Sequence, residues 1–547
     1  MKKALKIFAI VAMVVSAVAC SSAAKMAEET GSTGVVITCD PEVLEVVAGT
    51  VTATITAEVP AGYFQKKAIL TVTPVIVYDG GEAAAEDLVY QGEKVKDNYT
   101  VVSYDGQTIT ETVKIAYEPG FEESYLELRG VVTYKLKTYD CPTVKVAEGC
   151  NTTYMLASAN CLKYKADNYQ EVIAMTAEGQ IMYKINSADV ASSQLKSDSI
   201  KDFQAALDEI AENERKTLVG TEVVAYASPD GAEDFNNKLS DKRAASGDKA
   251  WDKVVSGKEV SDPEVKSVGE DWEGFQELVT ASDLEDKDLI LRVLSMYSDP
   301  AVRESEIKNM SNVYTALKSD VLPALRRSRF IANVEYQNWT SDELVEMIDS
   351  NIDALDEEAL LRAATLVDDL DTKIKVYEKA VKEYDSDRAQ FNIGVANYKA
   401  GDIAAAKAAF GKVDTKDADL DNALGVIAFA EGELATAEEY FKKAHTECAR
   451  QNQAVVDIYN GKYEQAARAL QGTGTHNEAI ADLLTGQDSK VASVLSDDDC
   501  PTACYIKAIA AARAGDSATV KSNLETALTC EYLANRYETD IEFADYK

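Results

Sequence analysis

The feature that most constrains this chain is a repeat. Gly394, Gly401, Ala406 and Phe410 recur as Gly425, Gly432, Ala437 and Phe441, at a constant offset of thirty-one residues. A fixed period of this length belongs to stacked helical units. Each is too small to bury its own apolar face and is completed by its neighbours. The residue types indicate how the units meet. Glycine and alanine let paired helices approach closely, and phenylalanine fills the gap to the next pair. Gly401 and Gly432 sit in GD and GE turns between helices. Weaker copies run through NGKYEQAARAL around Gly461 and Ala466, and through AGDSATVKSNLETAL around Gly515 and Ala527. An earlier one is KIKVYEKAV, with Tyr377 and Ala380. The pattern predicts an all-α solenoid over residues 340–547.

Upstream the periodicity is different. TVTATITAEV alternates with period two and places Val51, Ile55 and Val59 on one face. AILTVTPVIVY, TETVKIAY and YLELRGVVTYKL follow, separated by turn markers such as YDGGE and YEPG. Pro74 inside the second run predicts an edge strand or a bulge. Short strands at this spacing predict an all-β, sandwich-like domain over 35–165. Beyond it, GQIMYKINSADV reads as a strand and SIKDFQAALDEIAENE as a helix with Phe203, Leu207 and Ile210 on one side. LVGTEVVAYAS is a second strand, followed by a Pro-Asp-Gly turn and the helix FNNKLSDKRA. After an acidic insertion, LPALRRSRFIANVEY ends in a closing strand. This alternation predicts a central α/β layer over 178–337. The fold class expected is therefore multidomain: all-β, then α/β, then all-α.

The first nineteen residues, with three lysines, no acid and a short apolar stretch, read as a secretory signal peptide. Residues 20–34, CSSAAKMAEETGSTG, are small and polar and read as a flexible tether. AVAC resembles a bacterial lipobox with Cys20 as the acylated residue, although Ala17 stands where leucine is usual. Ala17-Val18-Ala19 also suits ordinary signal peptidase. A net charge of −37 repels phosphate backbones, so nucleic acid is not an expected partner. Cys39, Cys141, Cys150 and Cys161 lie early and Cys448, Cys500, Cys504 and Cys530 late, which in an exported chain predicts disulfides or buried thiols rather than a metal. No pairing can be read from these spacings.

The helical repeat resembles the tetratricopeptide (TPR) repeat, slightly short of its usual period. VVAYASPDGAEDFNNKLSDKRA, with Gly231, Asn236, Leu239, Ser240, Arg243 and Ala244 at matching spacing, resembles the OmpA-like peptidoglycan-binding domain. In that family an aspartate takes the ammonium of diaminopimelate and a helical arginine takes its carboxylate. The arginine falls on Arg243, whose planar fork suits a carboxylate. The aspartate falls on Ser228, which cannot neutralise an ammonium; Asp230 would reach it only through a different turn. Packing of Arg243 against its own fold is the competing reading. The combination of an OmpA-like domain with TPR repeats resembles envelope lipoproteins of the Bacteroidetes.

HExxH, the phosphate loop, GxSxG and a strand-linked GxGxxG are all absent from the sequence. The only histidines are His445 and His476, which leaves little room for Ser-His or Cys-His catalysis. No enzymatic activity and no cofactor are expected. The TPR resemblance implies that the first helix of each pair lines a concave face; counting from Gly394 and Gly425, Phe391 and Asn422 fall at the family's usual clamp places, and Tyr398 and Phe429 one turn further along. Such an acidic, aromatic groove suits an apolar or basic segment; against this, simple core packing is the favoured reading of Tyr398 and Phe429. The resulting expectation is a lipid-anchored outer-membrane scaffold facing the periplasm, holding a protein partner and contacting peptidoglycan. The rivals are a dedicated wall anchor and a surface-exposed adhesin or nutrient-capture protein.

Overall fold

The computed structural model describes residues 22–29, 34–284, 286–309 and 311–547. The signal segment and Cys20 lie outside the described residues. The chain forms two compact units. One joins the amino-terminal part through Lys165 to Asp387–Lys547, and the other is Ala166–Ser386. The expected boundary at 340 is therefore displaced. The helices Ser341–Ser350, Glu357–Leu366 and Leu370–Tyr384 belong to the second unit, not with the later repeats.

The β-rich part of the first unit is built on antiparallel pairing. Thr50–Val59 pairs with Gln107–Ala116 along its whole length and with Val36–Asp40 on its other side. Val51, Ala53, Ile55 and Val59 are buried, as the alternation predicts. Ala68–Tyr78 is an interior strand, contrary to the expectation from Pro74. It pairs throughout with Ser124–Tyr134 and, on its other edge, with Leu88–Gly92 and Gly81–Ala84. Those two short partners leave a gap at Pro74, where the ladder needs no N–H. Part of the expected tether is also ordered. Ser22–Glu28 is a helix whose Ala23, Met26 and Ala27 are buried in a cluster with Phe64, Ala68 and Val132. Apolar residues at i, i+3 and i+4 give this short polar stretch one buried stripe.

In the same unit, helical hairpins follow from Asp387. The pairs are Asp387–Lys399 with Ile403–Phe410, Ala418–Ala430 with Leu434–Ala444, Glu447–Tyr459 with Tyr463–Leu470, and Pro501–Ala514 with Ser517–Ala527. His476–Leu484 lies between the last two pairs, and Glu531–Thr539 follows them. The repeated glycines let the helices of a pair approach closely, but the phenylalanine each one accommodates comes from its own pair. A Cβ on Gly394 would lie 2.4 Å from the Phe410 ring, and one on Gly425 would lie 2.5 Å from that of Phe441.

The second unit carries a four-stranded sheet in the order Val172–Met182, Arg327–Gln337, Lys216–Ala227, Glu264–Glu270. The last two strands run parallel and the other neighbours antiparallel. Asp198–Glu212 and Glu233–Val254 supply Phe203, Leu207, Ile210 and Trp251, which bury against Val223 and Phe330 of the sheet. Glu264–Glu270 was not expected as a strand. The acidic insertion also forms helices, which bury Phe275, Val279, Ile290, Leu294 and Leu317 in a cluster of their own. Among the described residues, no helix is long and apolar enough to cross a membrane.

Candidate functional site

After the strand Val144–Asn151 the chain makes a short 3-10 turn at Thr153–Leu156, then runs without regular structure to Lys165. This segment, which we call the strap, lies along the first helices of three hairpins and along the helix His476–Leu484. Asn477 grips Ser158 by both backbone groups: Oδ1 accepts its N–H at 3.0 Å and Nδ2 donates to its carbonyl at 2.8 Å. Asn452 holds Cys161 in the same way, at 3.0 and 3.1 Å. Asn392 holds Lys165, at 2.7 and 3.0 Å. Asn422 donates to the Cys161 carbonyl at 2.9 Å, and its Oδ1 accepts from Asn452 at 3.0 Å. All four asparagines are buried. An amide side chain matches a peptide unit donor for acceptor, so the ladder reads backbone rather than side chains.

The four residues expected to line this groove all lie in it or beside it. Tyr398 donates its hydroxyl to the Ala159 carbonyl at 3.3 Å, and Asn422 belongs to the ladder. Phe391 is buried against Phe410, with the Lys165 ammonium 5.1 Å from its ring centre. Phe429 meets Tyr459 edge to face, and Tyr459 in turn bonds the Ala157 carbonyl at 3.3 Å. The occupant, ASANCLKYK, combines small, polar and basic residues and comes from the same chain. Lys165 forms an ion pair with Asp417, and Cys161 is disulfide-bonded to Cys448. The other six cysteines among the described residues are not disulfide-bonded.

Sequence reasoning missed Asn392, Asn452 and Asn477. A signal was present. Asn392, Asn422 and Asn452 recur every thirty residues inside helices, where asparagine is a poor former. The glycine ladder, with its different offset, drew attention away from it. At the Asn477 end the groove widens into a cleft of about 740 Å³ lined by Ser158, Asn160, Tyr459, His476, Asp498 and Thr502. There His476 Nε2 lies 2.8 Å from Asp498 Oδ2 and 3.5 Å from Cys500 Sγ.

The residues expected to take a diaminopimelate zwitterion are arranged differently from the family pattern. Arg243 is wholly buried. Its guanidinium donates to the carbonyls of Tyr226 at 2.8 Å, Ser187 at 3.1 Å and Lys184 at 3.4 Å, and lies 5.0 Å from the Tyr183 ring centre. Burial pushes it down to about 10, because a charge removed from water is disfavoured. Ser228 and Asp230 do come together, at 2.7 Å, but their common partner is Arg326: Nε reaches Ser228 at 3.3 Å and Nη2 reaches Asp230 at 3.1 Å. Asn236 bonds the Gly231 carbonyl and Glu270. Arg243 therefore offers no open fork to a ligand carboxylate. Its donors are taken by one strand carbonyl and two loop carbonyls that the fold itself brings inward.

No protein family and no curated protein matches the chain. Solved structures similar to it include YrrB, "a TPR protein with an unusual peptide-binding site", at 17% identity. That match covers 36% of this chain and 99% of that one, with a TM-score of 0.20. The APC/C hetero-tetramer Cut9-Hcn1 is similar at 15% identity, over 54% and 74%, with a TM-score of 0.21. Native alpha-2-macroglobulin from Escherichia coli, from domain MG7 to the C-terminus, is similar at 12% identity, over 85% and 66%, with a TM-score of 0.14.

Proposed function

We propose that this chain is a non-enzymatic interaction scaffold of the cell envelope, anchored by a lipid on Cys20 and facing the periplasm. The observation that carries this reading is the asparagine ladder, a groove built to hold extended polypeptide by its backbone. The strap fills most of that groove. The cleft beside Ser158 and Tyr459 is where a partner segment adds to it. The anchor and compartment rest on the amino-terminal sequence. The test is crosslinking in cells from a photoreactive residue placed at Thr502, on the cleft wall. Adducts with a discrete envelope protein are expected. A protein that crosslinks to nothing from Thr502 would lack the partner proposed. Loss of fatty-acid labelling in Cys20→Ser tests the anchor separately.

Contact with peptidoglycan is the second reading, and the order of strands and helices around the four-stranded sheet supports it. With Arg243 committed to carbonyls, a wall carboxylate would have to compete with Asp230 for Arg326. Pull-down with purified sacculi decides it. Retention of the wild type with loss in Arg326→Ala would make wall anchoring the main role, and no retention removes it.

A further inference from the structure

We propose that His476, Asp498 and Cys500 form a binding site for one zinc-class divalent cation at the rim of the repeat cleft. Their donor atoms, an imidazole nitrogen, a carboxylate oxygen and a thiol sulfur, all lie within 4.8 Å of one another. In a tetrahedral zinc site with bonds of roughly 2.0–2.3 Å, neighbouring donors stand about 3.3–3.7 Å apart. The 3.5 Å between Nε2 and Sγ already fits, and the 2.8 Å between Nε2 and Oδ2 needs to open only slightly.

The donors are also oriented from behind. Asp498 Oδ1 accepts the Cys500 N–H at 3.0 Å, which turns Oδ2 toward the histidine. Cys500 caps the helix Pro501–Ala514, its sulfur accepting the Ala503 N–H at 3.4 Å, which fixes the position of the sulfur. His476 opens the helix His476–Leu484, whose cap is Thr475. One ion would therefore tie two helix starts together. Imidazole and thiolate with a single carboxylate select zinc over calcium or magnesium. His476 and Asp498 are part-exposed and line the cleft, so an ion can enter and a fourth position opens toward it.

The competing reading is a His476–Asp498 hydrogen bond beside an ordinary thiol cap. Titration of the full-length protein with cobalt, followed by displacement with zinc, separates the two. One cobalt per chain with a thiolate-to-cobalt charge-transfer band is expected. Cys500→Ser keeps a capping acceptor and should lose the band, and Cys530→Ser should keep it. His476→Gln should weaken binding at least ~10-fold. A wild type without the band, the same band in Cys500→Ser, or mass mapping that finds Cys500 in a disulfide would overturn the proposal. If Cys500→Ser fails to fold by circular dichroism, His476→Gln decides: unchanged cobalt affinity overturns the site.

Discussion

Single residues set two opposite limits in this chain, one on space and one on charge. Gly425 has no room for a side-chain carbon, because the Phe441 ring stands where one would go. Gly425→Ala is expected to cost about 1–3 kcal/mol through forced repacking, measured as a lowered urea midpoint by far-UV circular dichroism. Arg243 is the opposite case, a charge kept in an interior because three carbonyls need its hydrogens. Arg243→Met relieves the cost of burying that charge but leaves the carbonyls unpaired, for a net loss of about 2–4 kcal/mol. The three tryptophans, Trp251, Trp272 and Trp339, all lie in the second unit, so their fluorescence reports that unfolding alone. A variant of full stability would show that the carbonyls find other donors. Sequence could place Arg243 on its helix but not decide between ligand and lattice of carbonyls. The two carbonyls of Lys184 and Ser187 come from a loop more than fifty residues away.

At the scale of elements, legibility followed periodicity. Helical hairpins and the long strands announced themselves, because burial of one face imposes a spacing of side chains. Glu264–Glu270 did not: it is mostly exposed and is held by parallel backbone pairing to Glu222–Ala227, which needs no apolar face. The strap was equally silent. Small residues without a period acquire meaning only from asparagines hundreds of positions later. Asn452→Ala removes both bonds to Cys161 and the bridge to Asn422. Faster hydrogen exchange is expected at the Cys161 amide and its neighbours, by roughly 10- to 100-fold for about 1–3 kcal/mol lost. Exchange unchanged from wild type would mean that the disulfide and the other bonds to the strap hold it without Asn452.

At the scale of the molecule, the first unit is closed at its far end by a buried carboxylate. Glu542 accepts from Asn151 at 2.7 Å and Thr153 at 2.9 Å, both at the end of the β-rich part, and forms an ion pair with Arg513 in the helices. Burial opposes the charged form, but the Arg513 guanidinium and these donors outweigh it and hold the carboxyl below the ordinary glutamate range. A depressed value means that the contribution is fully present at neutral pH and is lost as pH falls through the folded value. Wild type and Glu542→Gln should therefore differ in urea midpoint at pH 7 and converge only as pH falls below the ordinary glutamate range. A gap that persists in acid would assign the effect to shape rather than charge. The single linkage that spans 287 positions, Cys161 to Cys448, has a further consequence. A polypeptide that emerges amino end first presents the strap long before the helices that grip it exist, with the whole of 166–386 produced in between. The β-rich part must wait, its trailing edge unsupported and its thiol unpaired, so an oxidant or chaperone acting during synthesis meets a half-built body whose later residues finish what the first began.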